Sequence, residues 1–235
     1  MQVYAQPFWT PKAGNSEAEY EDAFYPTNGI DAKTNRHQFA IADGASETSF
    51  ARLWAQLLAK AVGRGRLDPA CPAPALSQLR SCWQRVVNRK SLPWYAEEKA
   101  RLGAFASILG LSLRQDLTGR YWSAYAVGDC CVFHLRGDDL LRSFPLGHSS
   151  DFNNRPRLIS SNPECNANPS PEFTSITGEW NFEDHFFMMS DALASWFLQR
   201  HELGESPWKL LQSLDTVDGP KDFKSWIADL RGSTF

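Results

Sequence analysis

Three apolar segments of strand-like composition each end in an aspartate, and this recurrence limits the folds that the chain can adopt. The segments are Phe39–Asp43, Ala124–Asp129 and Phe186–Asp191. Gly44 follows the first aspartate and lets the backbone carbonyl approach a ligand closely. A carboxylate at the tip of a buried strand is held rigidly, and hard cations prefer such oxygen donors. We therefore expect the three carboxylates to converge at one edge of a sheet core.

The composition is that of an ordinary globular protein. Of the 235 residues, 43% are hydrophobic and 22% are charged, which allows a sizeable core and argues against global disorder. The net charge of −3 provides no general attraction to nucleic acid or to an anionic membrane, which also argues against a nuclease built on the same acids. We therefore expect neither nucleic acid nor membrane as a partner.

The cysteine pattern and the start of the sequence bear on the cellular compartment in which the protein is expected. Five cysteines without C-x-x-C spacing favour free thiols in a reducing environment over a zinc ribbon or a disulfide scaffold. No charged-then-apolar leader opens the chain, and no apolar run approaches ~20 residues, so neither a signal peptide nor a membrane span is expected. We expect a cytoplasmic protein.

The order of helical and strand-like segments predicts the fold class. Helical spacing of apolar residues occurs at 46–62, 76–88, 94–102, 208–214 and 222–231, with Ser46 as a candidate N-cap. Strand-like segments occur at 3–9, 38–42, 103–113, 121–127, 131–135, 173–176 and 186–189, and Asn28-Gly29 predicts a tight turn. Strands joined by short turns are antiparallel. A block of helices followed by hairpin strands favours an α+β domain with antiparallel sheets.

The segment at about 145–172 differs from its surroundings. It is rich in Ser, Asn and Pro and has little periodicity. Long loops of this kind inside a compact domain are usually functional flaps or disordered segments. We expect a flap-like loop.

The acids at the strand ends form a set of oxygen donors. They are Glu21, Asp22, Asp43, Asp129 and Asp191, together with the carbonyl of Gly44. Oxygen ligands suit Mg²⁺ or Mn²⁺ rather than zinc, which prefers nitrogen and sulfur. Two such ions can hold one hydroxide between them and clamp a phosphoryl group for in-line attack.

Each acid also has a simpler interpretation. Asp43 and Asp191 can be acids at helix N-termini, and Asp129 can be a hairpin-turn aspartate. The Glu21-Asp22 pair can be exposed beside a turn. The five histidines lack ligand spacing and are expected to be structural.

Five short motifs occur along the chain, at Tyr20–Phe24, Ile41–Ala45, Gly103–Ser107, Val127–Asp129 and Met189–Leu193. They stand in the order known from the PPM family, the metal-dependent (type 2C) protein phosphatases, and the chain resembles bacterial members of that family. The resemblance implies a four-layer α-β-β-α sandwich, in which two central antiparallel sheets are flanked by helices. It also implies hydrolysis of phosphoserine or phosphothreonine by a water that bridges two Mn²⁺ or Mg²⁺ ions, without a covalent phosphoenzyme.

The resemblance assigns roles to the acids. Asp43 would bridge both ions, with the Gly44 carbonyl on one of them. Asp22 would lie near the ions, and Glu21 would bind through water. Asp191 would ligate one ion, and with Asp129 it would hold a weaker third ion.

The resemblance also implies partners. They are a phosphorylated protein substrate and a cognate serine/threonine kinase, bound by a monomer with one phosphatase-like domain over 1–235. The flap would influence the choice of substrate.

The chain departs from the family pattern at several positions. Ala45-Ser46 replaces the second Gly-Gly, and Ala192 replaces the glycine after Asp191. The phosphate-binding arginine of many members has no match, since Glu17 stands there; Lys12 and Arg36 are the alternative cations.

The last motif of the family, an Asp-Asn or Asp-Asp followed by Thr, is not visible before Phe235. Three explanations stay open: a truncated chain, a substitute acid such as Asp229, or an incomplete site. A catalytically inactive relative that serves as a regulatory or binding module is therefore the alternative function.

Overall fold

The computed structural model describes residues 1–27, 30–46, 48–153, 155–166 and 172–232, and the structural findings concern these residues. The expected turn at Asn28-Gly29 lies outside them. The strands are β1 (Gln2–Ala5), β2 (Ala23–Tyr25), β3 (Ile30–Lys33), β4 (Arg36–Gly44), β5 (Phe105–Asp116), β6 (Gly119–Val127), β7 (Cys131–Arg136), β8 (Asp139–Phe144), β9 (Ile159–Ser160), β10 (Thr174–Glu179) and β11 (Asp184–Met189). The helices are α1 (Ala51–Gly63), α2 (Ala73–Val87), α3 (Trp94–Arg101), α4 (Asp191–Glu202), α5 (Pro207–Ser213) and α6 (Gly219–Gly232).

Two antiparallel sheets form the centre of the molecule. A six-stranded sheet has the order β10-β6-β5-β4-β2, with β9 paired to the start of β5. A three-stranded sheet has the order β11-β7-β8, and β1 pairs with β3. The antiparallel pairing follows from the short turns that join β5 to β6 and β7 to β8.

The alternation of side chains along β4 separates two cores. Ala40 and Ala42 face a cluster that contains Trp54 and other residues of α1 and α2. Phe39 and Ile41 point to the opposite face and pack in a second cluster with residues of β5, β6 and the three-stranded sheet. Successive residues of a strand face opposite sides, so one strand serves both cores.

A third core covers the outer face of the three-stranded sheet. Phe133 of β7 stacks on Phe197 of α4 with ring centroids 4.1 Å apart. Trp208 of α5 and Phe223 of α6 belong to the same cluster. The layers are therefore helices, sheet, sheet and helices, and the expected α-β-β-α sandwich is confirmed.

Helix α1 begins later than the apolar spacing predicts. It starts at Ala51 rather than Ser46, after Phe50 in a left-handed conformation with φ 61°. The Ala45 N–H donates to the Phe105 carbonyl at 2.9 Å, and the Phe105 N–H donates to Thr48 Oγ1 at 3.4 Å. These bonds tie the segment after β4 to β5, so the expectation that Ser46 caps the helix is wrong.

Part of the expected flap at about 145–172 forms regular secondary structure. It contains β9 and two short turns of 3₁₀ helix, at Ser149–Asp151 and Pro163–Cys165. Trp54 Nε1 donates to the Ile159 carbonyl at 2.8 Å, and Arg80 Nε donates to the Ser160 carbonyl at 3.1 Å. Residues 154 and 167–171 of this segment lie outside the described part.

None of the described helices combines the length and the apolar character that crossing a membrane would require.

Candidate metal centre

The register between β2 and β4 brings two of the predicted acids together. Ala23 pairs with Ala42, so one further step of the same antiparallel register places Asp22 opposite Asp43. Side chains that lie directly opposite on neighbouring strands project from the same face. The two carboxyl groups lie within hydrogen-bonding reach of each other.

The same register places Glu21 opposite Gly44, where the two backbones approach closely. A Cβ on Gly44 would lie 2.8 Å from the Glu21 carbonyl oxygen and 3.1 Å from the Ala51 Cβ. Glycine is therefore required at this position by space. The Glu21 side chain is 19% exposed, and its Oε2 lies 3.8 Å from Lys12 Nζ.

The third acid comes from the other sheet. Asp191 follows β11 as the first residue of α4, and its Oδ1 accepts the Ala192 N–H at 2.6 Å. The preceding Ser190 donates its Oγ–H to Asp22 Oδ2 at 3.3 Å. The two sheets thus meet at this end of the sandwich. Asp191 is the first residue of a helix, as its simpler interpretation predicts, and it also lies close enough to Asp22 and Asp43 for its charge to raise their pKa values.

Asp129 lies in the turn between β6 and β7. Gly128 before it has φ +101°, and a Cβ there would lie 2.4 Å from the Ser107 Cβ. Burial, and then the charge of Asp191, raise the pKa of Asp129 to about 6. Asp129 is therefore a buried turn aspartate, and its pKa is affected by Asp191, one of the three acids (Asp22, Asp43 and Asp191) that form the acid cluster.

Electrostatic strain is greatest at Asp43. Burial, followed by the charges of Asp22 and Asp191, raises its pKa to about 10. Burial also raises the pKa of Asp22, and Asp191 adds to that effect. Two touching, half-buried carboxyl groups cannot both be ionised unless a cation lies beside them, so the pair holds either a proton or a cation.

Lys12 is the basic residue beside the acid cluster. Its Nζ donates to Ser46 Oγ, and its charge lowers the pKa of Asp22 and of Asp43 against the larger effects of burial. Lys12 borders the cluster rather than separating its members, because Asp22 and Asp43 contact each other. Arg36 begins β4, at the opposite end of the strand from Asp43.

Two residues at the cluster were not predicted. Ser190 donates to Asp22 Oδ2 at 3.3 Å, and the Tyr20 hydroxyl lies close enough to the same carboxyl to be affected by its charge. Burial, and then the charge of Asp22, raise the pKa of Tyr20. Their adjacency in sequence to Asp191 and to Glu21-Asp22 is the only signal that could have identified them.

The carboxyl oxygens are of the kind that bind a hard divalent cation, but in the part of the chain that the structure describes too few of them lie together to form a complete set of ligands. The carboxyls of the cluster are all oxygen donors, as Mg²⁺ and Mn²⁺ require. Within the described ranges, no group of three or more His, Cys, Asp or Glu side chains is arranged to hold a metal ion. Asp22 and Asp43 are the assembled pair, and Asp191 and Asp129 stand near it. Asp229, the expected substitute acid, lies exposed on α6.

Sequence and structure comparisons give different results. No family model matches the sequence, and no curated protein is significantly similar to it. A bacterial serine phosphatase carrying an arginine-to-lysine substitution is similar in structure, with TM-score 0.52 and 10% identity over 98% of this chain and 89% of that one. The catalytic domain of the serine/threonine phosphatase PstP, in complex with two manganese ions, has TM-score 0.51 and 15% identity over 97% of this chain and 90% of that one.

The likeness covers nearly the whole chain in both comparisons. At these identities it establishes the fold, and it agrees with the two-sheet sandwich. The chain therefore has the fold of the PPM metal-dependent phosphatases.

Proposed function

We propose that the protein is a metal-dependent phosphatase that hydrolyses phosphoserine or phosphothreonine in proteins by direct attack of water. The observation that carries this proposal is the contact between Asp22 and Asp43, with Asp191 beside them, at one end of a phosphatase fold. Buried carboxyls of like charge are costly without a cation. A cation site explains why they stand together.

The proposed ligands are the acids of the strand ends. Asp22, Asp43 and Asp191 would hold two Mn²⁺ or Mg²⁺ ions, with the Gly44 carbonyl and Glu21 completing the set. Asp129 would contribute with Asp191 to a weaker third ion. When bound, such ions activate a water as nucleophile and neutralise the charge of a phosphoryl group.

The thiol of Cys130, which lies beside the acids, is not suited to act as the nucleophile in place of water. The Cys130 thiol is fully buried and contacts Ser107 Oγ at 3.0 Å. Burial, and then the charge of Asp43, raise the pKa of the thiol well above its ordinary value, so it stays protonated. A protonated, inaccessible thiol cannot attack phosphorus.

Lys12 is the residue of this chain that would orient the substrate. Its side chain is 63% exposed and stands beside Glu21 at the edge of the cluster. A flexible ammonium group in that position can donate to the oxygens of a phosphoryl group.

The partners follow from the proposed reaction. A phosphorylated protein would be the substrate, and a serine/threonine kinase would supply it. We propose that the chain acts as a cytoplasmic monomer with one phosphatase-like domain, in which the flap at about 145–172 influences the choice of substrate.

Manganese-dependent hydrolysis of a chromogenic phosphate ester tests the proposal. Wild-type protein should release the chromophore only with Mn²⁺ or Mg²⁺, and Asp43→Ala should abolish the reaction. Asp138→Asn, which alters an exposed acid paired with Lys209, is the matched control and should be fully active. Hydrolysis by Asp43→Ala at the wild-type rate would contradict the proposed site.

The alternative is an inactive relative that serves as a regulatory or binding module. Two observations favour it. The described residues contain no group of three or more side chains arranged to hold a metal ion, and Ala45 and Ala192 stand in place of glycines. Absence of hydrolysis at every Mn²⁺ concentration, in protein that binds Mn²⁺, would support this alternative.

A further inference from the structure

Charge is distributed unevenly between the layers of the molecule. Residues 51–101, which contain α1, α2 and α3, include ten Lys or Arg and three Asp or Glu. The rest of the chain includes 14 basic and 24 acidic residues, so a segment of net charge +7 is joined to a remainder of net charge −10. The overall charge of −3 therefore conceals a cationic helical layer on an acidic molecule.

Most cations of this layer have no acidic partner. Leaving Arg80 aside, no described Lys or Arg of 51–101 forms an ion pair with a described acid. Two of the cations have structural contacts instead. Arg52 Nη1 donates to the Glu17 and Ala18 carbonyls at 3.0 and 2.9 Å, and Arg80 Nε donates to the Ser160 carbonyl at 3.1 Å. These two arginines connect α1 and α2 to other segments of the protein.

Three exposed cations lie at the C-terminal end of α2 and have no such role. Arg85 is in the last turn of the helix, and Arg89 and Lys90 follow in a turn in which the Lys90 N–H donates to the Val87 carbonyl at 2.9 Å. Arg85 Nε donates to the Ser81 carbonyl of its own helix at 3.3 Å. We call Arg85, Arg89 and Lys90 the α2 cation group.

Helix stability alone does not account for this group. Cations at a helix C-terminus stabilise its partial negative charge, which explains Arg85. It does not explain Lys90, whose Nζ lies 4.9 Å from the centroid of the Phe50 ring. The same principle favours acids in the first turn, and neither α1 nor α2 has one. The excess of positive charge therefore requires another explanation.

The α2 cation group lies at the end of the sandwich that holds the acid cluster. Trp83 of α2 donates its Nε1–H to the Phe50 carbonyl at 3.4 Å. Phe50 directly precedes α1, and the Cβ of Ala51 is 3.1 Å from the place where a Cβ on Gly44 would lie, next to Asp43. A protein bound at the acid cluster would therefore also pass near the end of α2.

We propose that the α2 cation group binds an acidic segment of the phosphorylated substrate, so that the protein prefers phosphoserine or phosphothreonine flanked by Asp or Glu. Complementary charges at the edge of an interface steer association and select partners. Three cations are fewer than the clusters of about 4–8 that bind anionic lipid. The acidic remainder of the chain would repel an extended nucleic acid. The inference rests on the proposed function for calling the partner a substrate, whereas the binding itself requires no metal.

Fluorescence anisotropy with labelled phosphopeptides tests the binding in the presence of a chelator. A phosphoserine peptide with Glu on both sides should bind, and added salt should weaken the complex because charges at a surface are screened over ~8–10 Å. The same peptide with Lys in place of Glu should bind about tenfold more weakly or less.

Charge reversal locates the surface. Arg85→Glu combined with Arg89→Glu should weaken binding of the acidic peptide about tenfold. Lys60→Glu combined with Arg64→Glu is the matched control, because it makes the same change of charge at the C-terminal end of α1, far from Ala51. The control should weaken binding by less than about threefold, since that end lies beyond the screening distance.

Thermal unfolding of each variant separates a loss of binding from a loss of folding. If the double reversal unfolds the protein, Arg89→Gln replaces it, because Arg89 lies outside the helix and the change only removes a charge. Arg89→Gln should weaken binding of the acidic peptide by about threefold and leave the basic peptide unaffected.

The outcomes distinguish this inference from the proposed function. Equal binding of the acidic and basic peptides by the wild type would overturn the inference, and so would equal losses in the two double variants. Tighter binding to phosphatidylserine vesicles or to single-stranded RNA, lost in the α2 variant, would overturn it in favour of those partners. Wild-type protein that binds the acidic peptide and hydrolyses no phosphopeptide with Mn²⁺ would overturn the proposed function and leave the docking surface. Hydrolysis without preference for acidic flanks would do the reverse.

Discussion

Asp43 is the residue at which burial and charge conflict most strongly. Burial and two neighbouring carboxyls raise its pKa to about 10, against an ordinary value of 3.8. The native metal-free protein therefore binds a proton that the unfolded chain releases above about pH 4. The stabilisation from this protonated group is complete below that pH and is lost as the pH rises through about 10.

We expect Asp43→Asn to flatten this pH dependence, because an amide carries no titrating proton. Urea unfolding at pH 5 and pH 9 in the presence of a chelator measures the change in the free energy of unfolding between the two pH values. The wild type should lose stability between the two pH values, and the variant should lose much less. A wild type as stable at pH 9 as at pH 5 would contradict the assigned environment of Asp43.

Lys12 is expected to act on substrate binding. Lys12→Ala should raise KM for a phosphate ester by about tenfold, since charge-assisted hydrogen bonds contribute about 1.5–3 kcal/mol. Lys12→Arg should retain most of the affinity. Arg36→Ala, the cation at the opposite end of β4, serves as the control in the same steady-state assay. A rise in KM for Arg36→Ala, with none for Lys12→Ala, would reverse the assignment.

Sequence reasoning named the acids that lie together, and Lys12 as a candidate cation, but not the path of the chain that brings Lys12 and Tyr20 to them. Asp22, Asp43 and Asp191 follow from strand ends, because the register and edge of a sheet bring such positions together. Tyr20 and Lys12 reach the cluster through the irregular segment before β2, whose path depends on contacts with α6. No local pattern encodes those contacts.

The turn between β6 and β7 is the element on which the position of Asp129 depends. Gly128 and Gly137 both have positive φ, but only Gly128 has no space for a Cβ. Gly137→Ala should therefore cost about 1 kcal/mol for the backbone alone. Gly128→Ala should cost at least about 2 kcal/mol more, because the Cβ would also overlap Ser107.

Urea unfolding of the two glycine variants measures the difference. Because the substitution is the same, the comparison isolates the steric contribution from the backbone contribution. Equal losses of stability at the two positions would contradict the close packing of the β6–β7 turn on Ser107.

The pairing of β7 with β11 buries the Asp184 carboxylate, which accepts hydrogen bonds from Arg136 and His134, at the end of the sandwich opposite the acids. Burial would raise the pKa of Asp184, but Arg136, the Asn181 N–H and His134 together lower it to about 2. Its side chain is only 1% exposed, and Oδ2 lies 2.8 Å from His134 Nε2. The stabilisation is therefore present above about pH 4 and is lost as the pH falls through about 2.

We expect Asp184→Asn to lower the free energy of unfolding by about 2–3 kcal/mol at pH 7, because it leaves buried donors without their acceptor. The loss should be smaller at pH 2.5, where the wild-type carboxylate is partly protonated. Asp138→Asn, which removes an exposed ion pair with Lys209, should cost less than about 1 kcal/mol. Equal effects of the two variants at pH 7 would contradict the burial of the Asp184 pair.

Most elements could be predicted from periodicity, whereas the start of α1 could not. The apolar spacing from Phe50 onward is helical, and nothing in it separates Ser46 from Ala51 as a start. The start is decided by bonds from residues 45 and 48 to Phe105, which lies on the neighbouring strand β5. Tertiary contacts of this kind override local propensity.

At the scale of the whole molecule, the layers follow from the faces of the strands. Strands such as β4 and β7 are apolar on both faces, so another layer of the protein must pack against each face. Two sheets with helices outside are a stable solution, and the hairpin turns make the sheets antiparallel. The flap was harder to predict because β9 and its anchors to α1 and α2 have no periodic signal.

The two sheets contribute different acids to one end of the sandwich, and the central claim is that divalent cations bind there. The most direct measurement is the anomalous diffraction of a crystal grown with Mn²⁺. We expect manganese peaks in direct contact with the carboxylates of Asp22, Asp43 and Asp191, and their loss in Asp43→Asn. Manganese bound only elsewhere, with Asp22 and Asp43 still sharing a proton, would contradict it.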